Sequence, residues 1–142
     1  MATNDFDNSW IYDIQDKIYS RVDAICTAKL ISKYPDINVT TDSHKVVNAK
    51  FPNVYIHFMS VEVGKDLENR TINAIYLTVE IHVTVTAAQK MEVAREVSNV
   101  VSDCMKDMQF DINDFPMFND TDTEYRTVSR FARTIGNADT LF

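Results

Sequence analysis

The side chains best suited to chemistry in this sequence are two histidines, three clustered arginines, a run of aspartates and two cysteines. His57 and His82 fall in two long extended runs that read as a hairpin, so both can face one side of a sheet. Glu80 or Glu62 would then complete a three-ligand metal site. Ligand residues at strand spacing also arise by chance, and partly exposed sheet histidines are the plainer reading. The aspartates of DINDFPMFNDTDT, Asp111 to Thr123, invite a calcium site, but the glycine and terminal glutamate of an EF-hand loop are missing. Cys26 and Cys104 sit inside apolar helical patterns without CxxC spacing, which reads as two buried thiols rather than a disulfide or a metal site.

Arg126, Arg130 and Arg133 form the densest positive cluster of an acidic chain. Arg126 and Arg130 share strand parity and project on one side, while Arg133 projects on the other. Guanidinium groups suit planar, bidentate pairing with carboxylates across an interface. The plainer alternative is three solvated edge charges. No GxSxG, P-loop, GxGxxG or HExxH occurs, and with 2 glycines in the chain a phosphate cradle of backbone amides is nearly excluded. Neither an enzyme nor a cofactor is expected.

These residues must be positioned by a few strongly patterned elements. In INAIYLTVEIHVTVT, Ile72 to Thr86, every odd position from Ile75 to Val85 is apolar, and the even positions carry Tyr76, Thr78, Glu80, His82, Thr84 and Thr86. Successive strand side chains point to opposite faces, so this is a long strand with one greasy and one polar face. At ~3.4 Å per residue it extends on the order of 50 Å. Before it, VYIHFMSVEV, Val54 to Val63, is partly apolar on both faces and reads as a central or doubly covered strand. The polar stretch Gly64 to Thr71 joins the two as a hairpin with a projecting tip.

Ser9 to Lys33 reads as an amphipathic helix ended by Tyr34-Pro35, and Ile37 to Thr41 as a short first strand. Ala87 to Met108 reads as a second amphipathic helix. Asp111 to Thr123, broken by Pro116, reads as an irregular segment pinned to the core by Phe115, Met117 and Phe118. Glu124 to Ile135 alternates as a last strand. The expected fold is α+β: a two-layer sandwich, mainly antiparallel, with both helices on the single greasy face.

The 142 residues suit a single domain, 1–142, with residues 1–8 and 137–142 as flexible ends. At 45% hydrophobic and 25% charged the composition is that of a folded domain. A formal charge of −7 argues against a surface that grips nucleic-acid backbone. No apolar run approaches the ~20 residues of a membrane span, and the acidic first ten residues lack the apolar core of a secretory signal. A reducing cytoplasm and a soluble protein are expected.

The combined pattern resembles a known family. An amino-terminal helix, FPNVYI opening a long strand, a projecting loop, YLTVEIHVTV, a helix with AREVSNVVSDCMKDM, a polar segment and a final YRTVSRFARTI look like the tail terminator (tail completion) proteins of long-tailed bacteriophages and related phage-derived contractile particles. The resemblance spans about Ser9 to Gly136. It rests on element order and on Phe51-Pro52, Glu80, Tyr125-Arg126 and Arg130-Phe131. It implies a structural virion protein that forms a ring, usually a homohexamer, on the last ring of tail tube subunits. Such a ring stops tube polymerisation and joins tail to head, meeting a neck or head-completion protein and, in contractile particles, the sheath. The implied place is the virion, at the tail end near the head, after assembly in the host cytoplasm.

Under that resemblance the subunit interface falls on Glu80, His82, Arg126, Arg130 and Arg133, with Glu80 pairing an arginine of the last strand or of a neighbour. The hairpin tip, Lys65, Asp66, Leu67, Glu68 and Arg70, supplies a second contact. No membrane and no specific nucleic acid is implied as partner, although DNA passes through the ring. The alternatives are another head–tail connector or tail adaptor subunit, or a small ligand-binding regulatory module.

Overall fold

The computed structural model describes residues 9–42, 50–65, 72–120, 123–136, 139 and 141. Its elements run α1 (Ser9–Leu30), β1 (Asn38–Thr41), β2 (Asn53–Lys65), β3 (Ile72–Thr86), a 3-10 turn (Ala87–Gln89), α2 (Lys90–Asp107), β4 (Asp111–Asp120) and β5 (Glu124–Gly136). The five strands form one sheet in the order β1-β2-β3-β5-β4, with β1 parallel to β2 and every other pair antiparallel. The long strand is therefore central.

Alternation in β3 produces the layers. Ile75, Leu77, Val79, Ile81, Val83 and Val85 are all buried, whereas Tyr76 between the first two is 41% exposed. The helices supply the cover. α1 contributes Ile14, Ile18, Val22, Cys26 and Leu30, four residues apart and so on one stripe, and α2 contributes Val97, Val101, Cys104 and Met105. Full burial of each large aliphatic side chain stabilises by roughly 1.5–3 kcal/mol, which holds a helix rich in valine that would be marginal alone. This is the expected two-layer α+β sandwich.

α1 ends at Leu30, one turn before the boundary read from sequence, because the chain tightens through Lys33 N–H to Leu30 C=O and Tyr34 N–H to Leu30 C=O before Pro35. The turn is tied to α2: Lys33 Nζ lies 2.7 Å from Glu96 Oε1, and Tyr34 donates its hydroxyl to Glu96 Oε2 at 2.6 Å. At the other corner the Gln89 side chain accepts from Thr86 N–H at 3.1 Å and donates to Phe51 C=O at 3.3 Å, joining the end of β3 to the entrance of β2. α2 closes with paired bonds, Gln109 N–H to Lys106 C=O and Phe110 N–H to Met105 C=O, around Gln109 at φ 65°. That is a Schellman closure with glutamine in the left-handed position that glycine usually takes.

Two sequence readings are corrected. The segment from Asp111, read as irregular, is the strand β4 on one edge of the sheet, paired with β5 and broken by register shifts between Ile112 and Asp114 and between Asp114 and Met117. Pro116 lies within the second shift. Proline has no N–H for a ladder, so an edge or a bulge is where a strand accepts it. The other concerns β2, which is interior to the sheet, between β1 and β3, as one of its two readings expects, but whose faces do not follow a single alternation. A bulge at Met59, between the pairs Phe58–Val79 and Ser60–Thr78, inserts one residue and reverses parity. Val61 and Val63 consequently pair in the ladder with Leu77 and Ile75, as Val54 and Ile56 pair with Val83 and Ile81 before the bulge.

Candidate functional site

Among the described residues no helix lies over the second face of the sheet, and register arranges its side chains in rows across the strands. One row holds Asn53, Thr84 and Arg126, with Asn119 opposite Arg126 on β4. The next holds Tyr55, His82 and Val128. A third holds His57, Glu80 and Arg130, with Asp114 beyond. Residues two apart in a strand share a face, so each row is set by parity together with pairing.

The third row is a matched charge network. Arg130 Nε donates to Glu80 Oε2 at 2.8 Å, and the same guanidinium donates through Nη1 to Asp114 Oδ2 at 2.9 Å. Glu80 Oε1 accepts from His82 Nε2 at 2.5 Å, the imidazole being the donor because a carboxylate only accepts. Both oxygens of Glu80 are thus engaged, and its side chain is only 12% exposed. Burial pushes the Glu80 pKa up, but the hydrogen bonds from Arg130 and His82 outweigh it, and the carboxyl titrates below its ordinary 4.5. At the β1 side, Asp42 takes a hydrogen bond from the Tyr55 hydroxyl and lies 3.1 Å from His57 Nδ1. Chiefly through that bond to Asp42, the Tyr55 pKa is pushed up to about 12. The Tyr55 ring stacks on His57 at 6.1 Å between centroids and lies tilted against His82 at 5.7 Å.

The structure brings Glu80, His82 and Arg130 into contact and keeps Arg126 on the same face. It separates Arg133, which lies opposite Leu77 on the helix-covered side. There Arg133 Nη2 donates to Asp139 Oδ2 at 2.5 Å, while Nη1 is buried without a partner among the described residues. The hairpin tip expected at Lys65, Asp66, Leu67, Glu68 and Arg70 lies outside the described residues, save the backbone of Lys65, which pairs with Ile72.

Tyr55, Asp42 and Asp114 are the site residues that the sequence reading passed over. Tyr55 was within reach, because it shares parity with His57. Asp42 and Asp114 stand outside alternating runs, and only the approach of β1 and β4 to the neighbouring strands gives them partners.

Both histidines are partly exposed residues of the sheet, and Glu80 is already committed to Arg130 and His82. Among the described residues no three His, Cys, Asp or Glu side chains are grouped to hold a metal ion. Cys26 and Cys104 are both free and buried in the helix layer, and burial raises their pKa values to about 12 and about 11 from an ordinary 9.0. Among the described residues no helix is long and apolar enough to cross a membrane. Comparison with protein-family models and with curated proteins gives no match.

Proposed function

We propose that this protein is a tail terminator: a ring subunit that caps the end of a phage tail tube, stops its polymerisation and joins tail to head. The observation that carries the reading is the uncovered sheet face. Among the described residues the five-stranded sheet carries helices on one side only, which leaves a second face of Tyr55, His57, His82, Arg126 and Arg130 for a partner. The sequence resemblance over about Ser9 to Gly136 supplies the kind of partner. Each member of a closed ring needs two different patches, one meeting the other on its neighbour. The open face is one candidate patch and the end of the β2–β3 hairpin the second. The formal charge of −7 suits a ring through which DNA slides without sticking.

The test is assembly. Purified protein, alone or mixed with tail tube ends, should form rings of uniform size by negative-stain electron microscopy and native mass spectrometry. Particles lacking it should carry tails of uncontrolled length. Tails of normal length in its absence would overturn the reading. Labelling the protein along the particle separates a terminator, near the head, from an adaptor at the far end.

A further inference from the structure

The two arginines of the open face differ in one respect. Arg130 is bracketed by Glu80 and Asp114 within its own chain. Arg126, four residues earlier on β5 and on the same face, has no ion pair among the described residues; its row holds Asn53 and Thr84, with Asn38 paired beyond Asn53. In a chain with 21 acidic and 14 basic side chains, Arg126 stands in a row with no acid among the described side chains.

Resting on the ring reading above, we propose that the depression around Arg126 is a carboxylate-binding site, filled by an aspartate or glutamate of a second copy of this chain. The depression has a volume of about 320 Å3 and is lined by Asn53, Tyr55, His82, Thr84 and Arg126. Its walls are held in place. Asn53 Nδ2 donates to Asn38 Oδ1 at 2.6 Å, Asn38 in turn donates to Lys50 C=O at 2.9 Å, the Tyr55 hydroxyl is committed to Asp42, and His82 Nε2 to Glu80. Among the described residues the guanidinium of Arg126 and the hydroxyl of Thr84 remain as uncommitted donors facing one cavity. A partly buried cation without a counter-ion is costly, and a carboxylate offers the planar, two-oxygen match that a guanidinium fork accepts.

A second copy fits this chemistry better than a polyanion. A nucleic-acid backbone repeats its phosphates, and those flanking the one on Arg126 would fall towards Glu80, Asp114 and Asp42. A single carboxylate meets the one unmatched arginine and leaves the acidic row alone. In a ring the contact is heterologous, Arg126 of one copy meeting a carboxylate on a different patch of the next. That is the kind of contact a ring requires.

The experiment mixes isotopically heavy and light protein carrying Arg126→Lys, treats it with a water-soluble carbodiimide that joins an amine to a touching carboxylate, and maps the cross-linked peptides. The expected result is a heavy–light cross-link between position 126 and an Asp or Glu of the other copy. In parallel, Arg126→Glu should weaken self-association about 10- to 100-fold while leaving the melting temperature unchanged, because Arg126 has no partner to lose among the described residues. If wild-type rings form but position 126 gives no heavy–light cross-link, or Arg126→Glu assembles as wild type does, the carboxylate site is refuted and the ring reading stands. If the wild-type chain stays monomeric alone and with tube ends, both fall together.

Discussion

Adjacent residues of β3 make the sharpest test of the architecture. Leu77 is fully buried beneath the helices, and Tyr76 is on the open face. Leu77→Ala removes three carbons from the core, about 2.4 kcal/mol at about 0.8 kcal/mol per carbon. The cavity left behind adds to this, because a site flanked by β2 and β5 and capped by helices collapses only in part, and the total should be about 3–4 kcal/mol. Against a typical stability of about 5–15 kcal/mol that is a large fraction, and it should lower the melting temperature by roughly 10 °C. Tyr76→Ala should cost less than about 1 kcal/mol in the isolated chain. Urea unfolding followed by circular dichroism measures both, with an unchanged denaturant slope as the check that only stability moved. A one-residue slip in the register would exchange the two faces. Equal costs, or a larger cost for Tyr76→Ala, would refute the layer assignment and with it the open face.

The remaining predictions follow from single contacts. Glu80 has a folded pKa below its unfolded one, so its contribution is fully present above the unfolded value of about 4.3 and is lost as pH falls through the folded value; the stability gap between wild type and Glu80→Gln should be open at pH 7 and shrink in acid, whereas a gap independent of pH would refute the network. Cys26 and Cys104, raised to about 12 and about 11, should resist iodoacetamide at pH 8 and react once urea unfolds the chain; labelling of the native protein at the rate of a free thiol would contradict their burial. Gln109→Gly should raise stability by about 0.5–1 kcal/mol by relieving the left-handed residue after α2, and Gln109→Val should lower it by at least as much in thermal melts.

Much of the fold was legible because it follows from local geometry. Period two in β3 names its buried face before any partner is known, and spacings of three and four do the same for α1 and α2. The β2–β3 hairpin followed from two long runs joined by a short polar stretch. β4 was not legible, since Asp111, Asp114 and Pro116 are poor strand formers in isolation and become one only along the edge that β5 offers. Nor was the Met59 bulge, for an extra residue shows only against the strand it fails to match. The site divided in the same way. Parity put Arg126 and Arg130 on one face and Arg133 on the other, and the structure keeps that division.

By itself, then, the sequence determined which side chains share a face, and the acidity that makes three arginines conspicuous. Which strands lie side by side was decided only by tertiary structure. The order β2-β3-β5-β4 sets Glu80 between His57 and Arg130 and brings Asp114 to the far side of that arginine, while Arg126 stays in a row without an acid among the described side chains. The physical reason is range. Face alternation is a property of one chain's dihedral angles, whereas charge matching across strands depends on registers set by loop closure, a bulge and the packing of two helices together.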